Sequence, residues 1–286
     1  MERFKTRLYQ LLLKQKLDRY EDIKGLHLNQ PFFYYKDRMQ FFVIIMKCLI
    51  YAKGSGVELN FDRLKDELRL WAYYVNGKTN DDSLLHFGII PVAMTNQKTD
   101  DLNRAIREYL EFFSVKIDRI PELLHFAYFI QAYNSEVGTA DIYDKSKQQL
   151  IEFSYTDVFE DEDKSRIIAF EKARILQISK SSVSYLQSLI ALEVWCDAAD
   201  LSGMKENDRE WLHLIESLYN YLTGLRKGHI KAISYKKSDT KLYNQKVGNV
   251  MTHENFGETV VLVNEKTQAG KTIIINTRFG CYKFNN

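Results

Sequence analysis

Asp81 and Asp82 are adjacent carboxylates in Asn80-Asp81-Asp82-Ser83, directly before an apolar segment. Neighbouring acids of this kind can bridge a hard cation, which takes several oxygen ligands. The same four residues also read as a helix N-cap with acids in the first turn, where they complement the helix dipole. Thr267-Gln268-Ala269-Gly270-Lys271-Thr272 ends as a phosphate-cradling P-loop ends. That loop needs a leading glycine, where Glu265 stands, and a helix after its lysine, where Ile273-Ile274-Ile275 follows. The isoleucines favour a strand, so the segment predicts a hairpin turn at Gln268-Ala269-Gly270. No two of the six histidines share the i, i+4 spacing of a helical zinc site, and no cysteine lies near one. His86 and His125 fall within apolar helical segments and read as hydrogen-bonded core or boundary residues.

Residues 226–246 hold seven Lys or Arg and one acid. Tyr235 and Tyr243 interleave with Lys236, Lys237 and Lys241, a pattern that suits contact with a partner. Aromatic rings beside cations can also stack nucleic-acid bases, but such a run more often forms a solvated connector. A second charged stretch is acidic: Asp157, Glu160, Asp161, Glu162 and Asp163.

The elements that must position these residues are mostly helical. Phe4, Leu8, Leu11 and Leu12 share one face of a helix over 2–18. Arg38 to Lys53 reads as a buried helix ending at Gly54-Ser55-Gly56. Phe61, Leu64, Leu68, Trp71 and Val75 mark the next, with Asn60 as its N-cap and Gly77 as its stop. Leu102, Ile106, Leu110 and Phe113 mark another, capped by Thr99, and Pro121 opens the one after it. Residues 166–179, 182–201 and 211–225 repeat the helical pattern. After Gly224 the pattern changes to β-branched runs, 258–264 and 271–276, with a third short strand at 281–284. The sequence thus predicts a mainly α protein: a bundle-like helical body over 1–225, with a mobile insertion at 134–163, then a basic connector and a small antiparallel β appendage over 226–286.

Of the 286 residues, 45% are hydrophobic and 13% aromatic, which excludes wholesale disorder. The net charge of +2 gives no global preference for nucleic acid. Cys48, Cys196 and Cys281 are odd in number and far apart, so no disulfide framework is expected and a reducing, cytoplasmic setting is. Leu11-Leu12-Leu13 is too short for a signal segment. The longest apolar run, Phe41 to Ala52, is about half a membrane span and is interrupted by Lys47.

Two stretches together resemble the ADP-ribosylglycohydrolase family. One is Lys36-Asp37-Arg38-Met39-Gln40, followed by a long buried helix, a glycine break and a helix through Trp71. The other is Ser83-Leu84-Leu85-His86-Phe87-Gly88-Ile89-Ile90-Pro91-Val92-Ala93. The resemblance covers residues 36–134 and implies an all-helical, metal-dependent hydrolase fold. It would place a divalent ion such as magnesium on Asp37 with Asp81 or Asp82. The sequence departs from the family where the metal binds. Lys36 replaces an acid and Arg38 a hydroxyl, and a cation there repels a metal. The later Gly-Asp-x-Asp-Thr motif has no counterpart, since Asp197 and Asp200 are spaced differently, and the glycine-rich N-terminal loop is absent.

These observations lead to a non-catalytic, regulatory protein that works through surface contacts with a protein partner, as immunity and phage-defence factors do. Its candidate surfaces are the acidic stretch, the basic stretch and the β appendage. An edge of the appendage could pair with a partner strand or with a second copy to form a homo-oligomer. The alternative is a magnesium-dependent hydrolase acting on an ADP-ribosylated substrate.

Overall fold

The computed structural model describes residues 37–53, 56–75, 82–135, 139–180, 209–228, 240–253, 257–267, 270–277 and 280–285, with Lys5, Leu8, Tyr9, Leu11 and Leu12 near the N-terminus. The protein is mainly α with an antiparallel sheet near its C-terminus. The body comprises α1 (Asp37–Cys48), α2 (Phe61–Val75), α3 (Asp82–Thr95), α4 (Thr99–Phe112), α5 (Ile120–Asn134), α6 (Thr139–Glu152), α7 (Tyr155–Phe159), α8 (Lys164–Lys180) and α9 (Arg209–Arg226). A single helical turn, α10 (Thr240–Tyr243), precedes the sheet.

α3 is apolar on all sides, as a central helix must be, and it packs against α1, α4, α5 and α9. Phe41, Phe87, Tyr109, Phe126 and Tyr128 are fully buried around it. Gly88 lets these helices approach: a Cβ there would lie 2.2 Å from the Tyr109 hydroxyl and 2.6 Å from Phe41. That hydroxyl donates to the Leu85 carbonyl at 3.0 Å, so it has no room to yield. The lysine that interrupts the apolar run is buried and paired, with Lys47 Nζ 2.6 Å from Glu67 Oε2.

Three parts of the body differ from the sequence expectation. The first helix stops at Cys48, and a β-hairpin follows it, β1 (Leu49–Ala52) with β2 (Gly56–Leu59). The hairpin is held from outside by Asn96, whose side chain accepts from the Val57 N–H and donates to the Val57 carbonyl, both at 2.9 Å. The amide therefore acts as a third strand would. Gly56 is required beneath it, since its φ is +81° and a Cβ would sit 2.6 Å from Asn96 Oδ1. In the second, Thr99 opens α4 without capping it; its Oγ1 accepts from Gln149 Nε2 at 3.0 Å instead. In the third, residues 139–159 are helical, and Ile142, Ser146 and Leu150 form a buried i, i+4, i+8 stripe against α5. Other expectations hold: the Asn60 side chain accepts from the Arg63 N–H at 3.0 Å, and Pro121 sits in the first turn of α5.

The sheet is a meander in the order β3 (Val250–His253), β4 (Gly257–Thr267), β5 (Gly270–Thr277) and β6 (Gly280–Asn285). Val260, Leu262 and Ile274 form a buried cluster joined by Leu70 of α2. Val261, Ile273 and Ile275 form another with Leu242 and Tyr243 of α10. Both faces are covered, which is why the strands read as unbroken apolar runs rather than alternating ones.

Candidate acid-rimmed cleft

A concavity among the described residues lies between the end of α4 and the junction of α7 with α8. It encloses about 540 Å³, within the range of roughly 300–1,000 Å³ typical of ligand sites. Leu110, Val115, Ile120 and Phe159 supply its apolar surface; Glu111, Ser114, Glu160, Asp161 and Arg166 supply its polar one.

Both walls are made by helix ends that turn without glycine. Ser114 after α4 has φ +49° and Glu160 after α7 has φ +52°, and these are the only non-glycine residues with positive φ among the described ones. A left-handed residue after a helix normally is glycine or asparagine. At Glu160 the turn is held from α4, where Arg107 Nη1 donates to the Val158 carbonyl at 2.9 Å and lies 3.7 Å from Glu160 Oε1. Asp161 is fixed by Arg166 at 2.7 Å and by the Tyr155 hydroxyl at 3.3 Å. Asp163 accepts from both the backbone and the hydroxyl of Ser165, at 2.8 and 2.7 Å, and those bonds hold its carboxyl below the usual aspartate range. So three acids of the stretch 157–163 have assigned local partners, while Glu160 still projects into solvent with 82% of its side chain exposed. Glu111, on the opposite rim, is exposed and makes no ion pair among the described residues.

A second group of charges lies at the start of α3 and α5. His86 is buried, its Nε2 3.1 Å from Glu122 Oε1, and Arg119 Nε is 3.3 Å from the same carboxylate. Burial acts to raise the Glu122 pKa, but His86 and Arg119 together hold it below the ordinary value. His125 is fully buried. Its Nδ1 lies 3.2 Å from Gln177 Nε2 and its Nε2 3.4 Å from Ser146 Oγ. The Ser146 hydroxyl itself donates to the Tyr143 carbonyl, which assigns the imidazole proton to Nε2. Both histidines are core residues, as their apolar surroundings in the sequence indicate.

Of the residues proposed for metal, Asp37 is the exposed first residue of α1, Asp81 lies outside the described residues, and Asp82 is the first residue of α3, its side chain outside them. Arg38 lies 5.6 Å from the Phe87 ring, so the first turn of α1 meets the second turn of α3. Among the described residues no group of three or more His, Cys, Asp or Glu could hold a metal ion. At that place the described residues supply the Asp37 carboxylate, next in sequence to the Arg38 guanidinium.

Of the residues proposed for partner contact, Tyr235, Lys236 and Lys237 lie outside the described residues, as does the side chain of Lys241. Tyr243 is half-buried against the sheet, and its carbonyl accepts from Lys271 Nζ and from Asn264 Nδ2. Lys271 thus ties α10 to the sheet. The P-loop-like segment is a hairpin, with Thr267 paired to Gly270 and Lys266 to Lys271. Burial pushes the Cys48 thiol up to about 12, with Glu67 adding to the shift, which leaves it unreactive at neutral pH.

The fold and site define a mainly α protein with a two-sided β appendage and an open, acid-rimmed cleft. Comparison with protein-family models, curated proteins and solved structures returned no match. No helix among the described residues is long and apolar enough to cross a membrane.

Proposed function

We propose that the chain is a non-catalytic, regulatory protein that binds a basic segment of a protein partner in the cleft between α4 and α7–α8. The observation that carries this reading is the lining of the cleft, where Glu111 and Glu160 stand beside the apolar Leu110, Val115, Ile120 and Phe159. A lysine or arginine side chain has the matching form, a hydrocarbon stem with a charged head. Rim charges of this type act mainly on encounter and selectivity, and salt weakens them.

A second reading, a magnesium-dependent hydrolase using Asp37 with Asp81 or Asp82, is favoured by the contact between Arg38 and Phe87, which sets the start of α1 against the second turn of α3. Under that reading a divalent ion would polarise the scissile bond. One titration separates the two. A fluorescent peptide alternating Lys or Arg with aromatic residues is followed by anisotropy against the wild type, Glu111→Lys with Glu160→Lys, and Asp37→Ala. We expect binding that weakens with salt, falls at least tenfold in the double variant and is unchanged in Asp37→Ala. Equal binding of an acidic peptide, or no response to the double variant, overturns the cleft reading. A loss in Asp37→Ala, with magnesium dependence, favours the hydrolase.

A further inference from the structure

We infer that Asp161 is the position in the cleft that reads a guanidinium, and that Arg166 of the same chain occupies it until an arginine of the partner displaces it. This deepens the cleft reading and rests on it. Asp161 lines the cleft with its carboxylate already fixed from two sides. Its Oδ1 accepts from the Asp163 N–H at 3.0 Å and its Oδ2 from the Tyr155 hydroxyl at 3.3 Å. Tyr155 is itself buried and stacked on Phe159. A carboxylate held in this way loses little freedom when a cation arrives. The cation in place is Arg166, which also lines the cleft and whose Nε lies 2.7 Å from Asp161.

Neither packing nor helix formation calls for an arginine at 166. Its side chain is 54% exposed. It stands third in α8, whose first turn holds no acid, and the helix dipole opposes a cation at an N-terminus. Arg107 differs, because it donates to the Val158 carbonyl from α4 and so ties two helices together. The ion pair of Arg166 with Asp161 stays within the junction of α7 and α8 and is made through Nε. An exposed pair of this kind is weak.

An incoming guanidinium can fork across both carboxylate oxygens, since each oxygen has a second lone pair, whereas an ammonium offers a single point charge. The exchange therefore favours arginine over lysine in the partner. It replaces one cation by another, so the carboxylate has a counter-charge before and after. Arg166 sets a threshold: a cation that cannot outcompete it gains nothing from Asp161.

Two fluorescent peptides of equal length test this, one alternating arginine with phenylalanine and the other lysine with phenylalanine. Both are titrated by anisotropy against the full chain at low salt. We expect the wild type to bind the arginine peptide at least about threefold more tightly, and Asp161→Asn to abolish that preference. Arg166→Gln should bind the arginine peptide about three- to fivefold more tightly than the wild type, because no exposed pair has to be broken. Its melting temperature should be unchanged. In the Asp161→Asn chain the same substitution should alter affinity by less than about twofold. Lys164→Gln removes an equal charge from the same turn, outside the cleft lining, and should leave the affinity at its wild-type value. A gain that persists in Asp161→Asn, or that Lys164→Gln reproduces, reduces Arg166 to bulk charge and overturns the inference. So does equal binding of the two peptides by the wild type, or a melting temperature lowered by Arg166→Gln, which would make the pair a structural clamp. Those outcomes leave the cleft reading standing as long as Glu111→Lys with Glu160→Lys still weakens the arginine peptide. If that double variant binds as the wild type does, the cleft reading fails and the inference fails with it.

Discussion

Lys47 and Glu67 show how a single residue can look anomalous in sequence and be necessary in structure. Lys47 lies in a run that is otherwise apolar, with 3% of its side chain exposed, and its partner with 9%. Desolvating both ions costs several kcal/mol each, and their attraction offsets this only while both are present. Glu67→Gln leaves an ammonium group without its counter-charge, so we expect a loss of about 3–5 kcal/mol in urea denaturation. Lys47→Met combined with Glu67→Leu removes both charges and should return stability to within about 1 kcal/mol of the wild type. A double variant as unstable as the single would mean that packing, not charge, sets the cost. The burial of Lys47 was readable from its neighbours, but its partner 20 residues away was not, because α2 has several acids and spacing alone cannot choose among them. The cleft was illegible for the same reason. Its acids include Glu111 and Glu160, which are 49 positions apart, and the two walls are brought together by tertiary contacts such as that of Arg107 on α4 with the end of α7.

At the scale of elements, periodicity identified helices well where one face is buried, and failed where an element depends on a distant side chain. Leu49-Ile50-Tyr51-Ala52 continues a helical pattern, and nothing local shows that Asn96 will stand in as a strand neighbour. The helices over 139–159 were obscured by Ser146, a polar residue on their buried stripe whose hydroxyl donates to the Tyr143 carbonyl and faces His125. That histidine joins α5, α6 and α8 through Ser146 and Gln177, and it gives the junction a pH dependence. Burial holds the imidazole neutral, with its pKa lowered to about 4 from 6.5, and Lys147 adds to the shift. Between these values the unfolded chain binds a proton that the folded one does not. Stability is therefore full above pH 6.5 and falls as the pH drops towards 4. From pH 7.5 to 5 the loss from this residue should be about 2 kcal/mol. We expect His125→Gln to be less stable at pH 7.5, yet to lose about 2 kcal/mol less over the same interval. A variant with an unchanged pH slope would show that the imidazole is not the responsible group.

At the scale of the whole molecule, the question is how firmly the sheet is joined to the helical body. The β-branched runs announced strands, and their unbroken apolar character matches a sheet covered on both faces; which parts of the chain cover it was not written in the runs themselves. α10 covers one face through Leu242 and Tyr243, and Leu70 from α2 reaches the other. The core of the body is continuous from α1 to α9, whereas the cluster that holds the sheet to α2 is small, with Val260, Leu262 and Ile274 around Leu70. Regions that share few buried apolar contacts open separately. Leu70→Ala removes part of a half-buried side chain, for a cost of about 1–2 kcal/mol. If the sheet is its own cooperative unit, that cost falls on the sheet alone. Hydrogen exchange should then speed up at least fivefold in the amides of β4 and β5, while those of α3 and α5 keep their wild-type rates. Faster exchange throughout α3 and α5 would instead mean that the sheet and the body unfold as one, and that the appendage contributes to the stability of the bundle beside it.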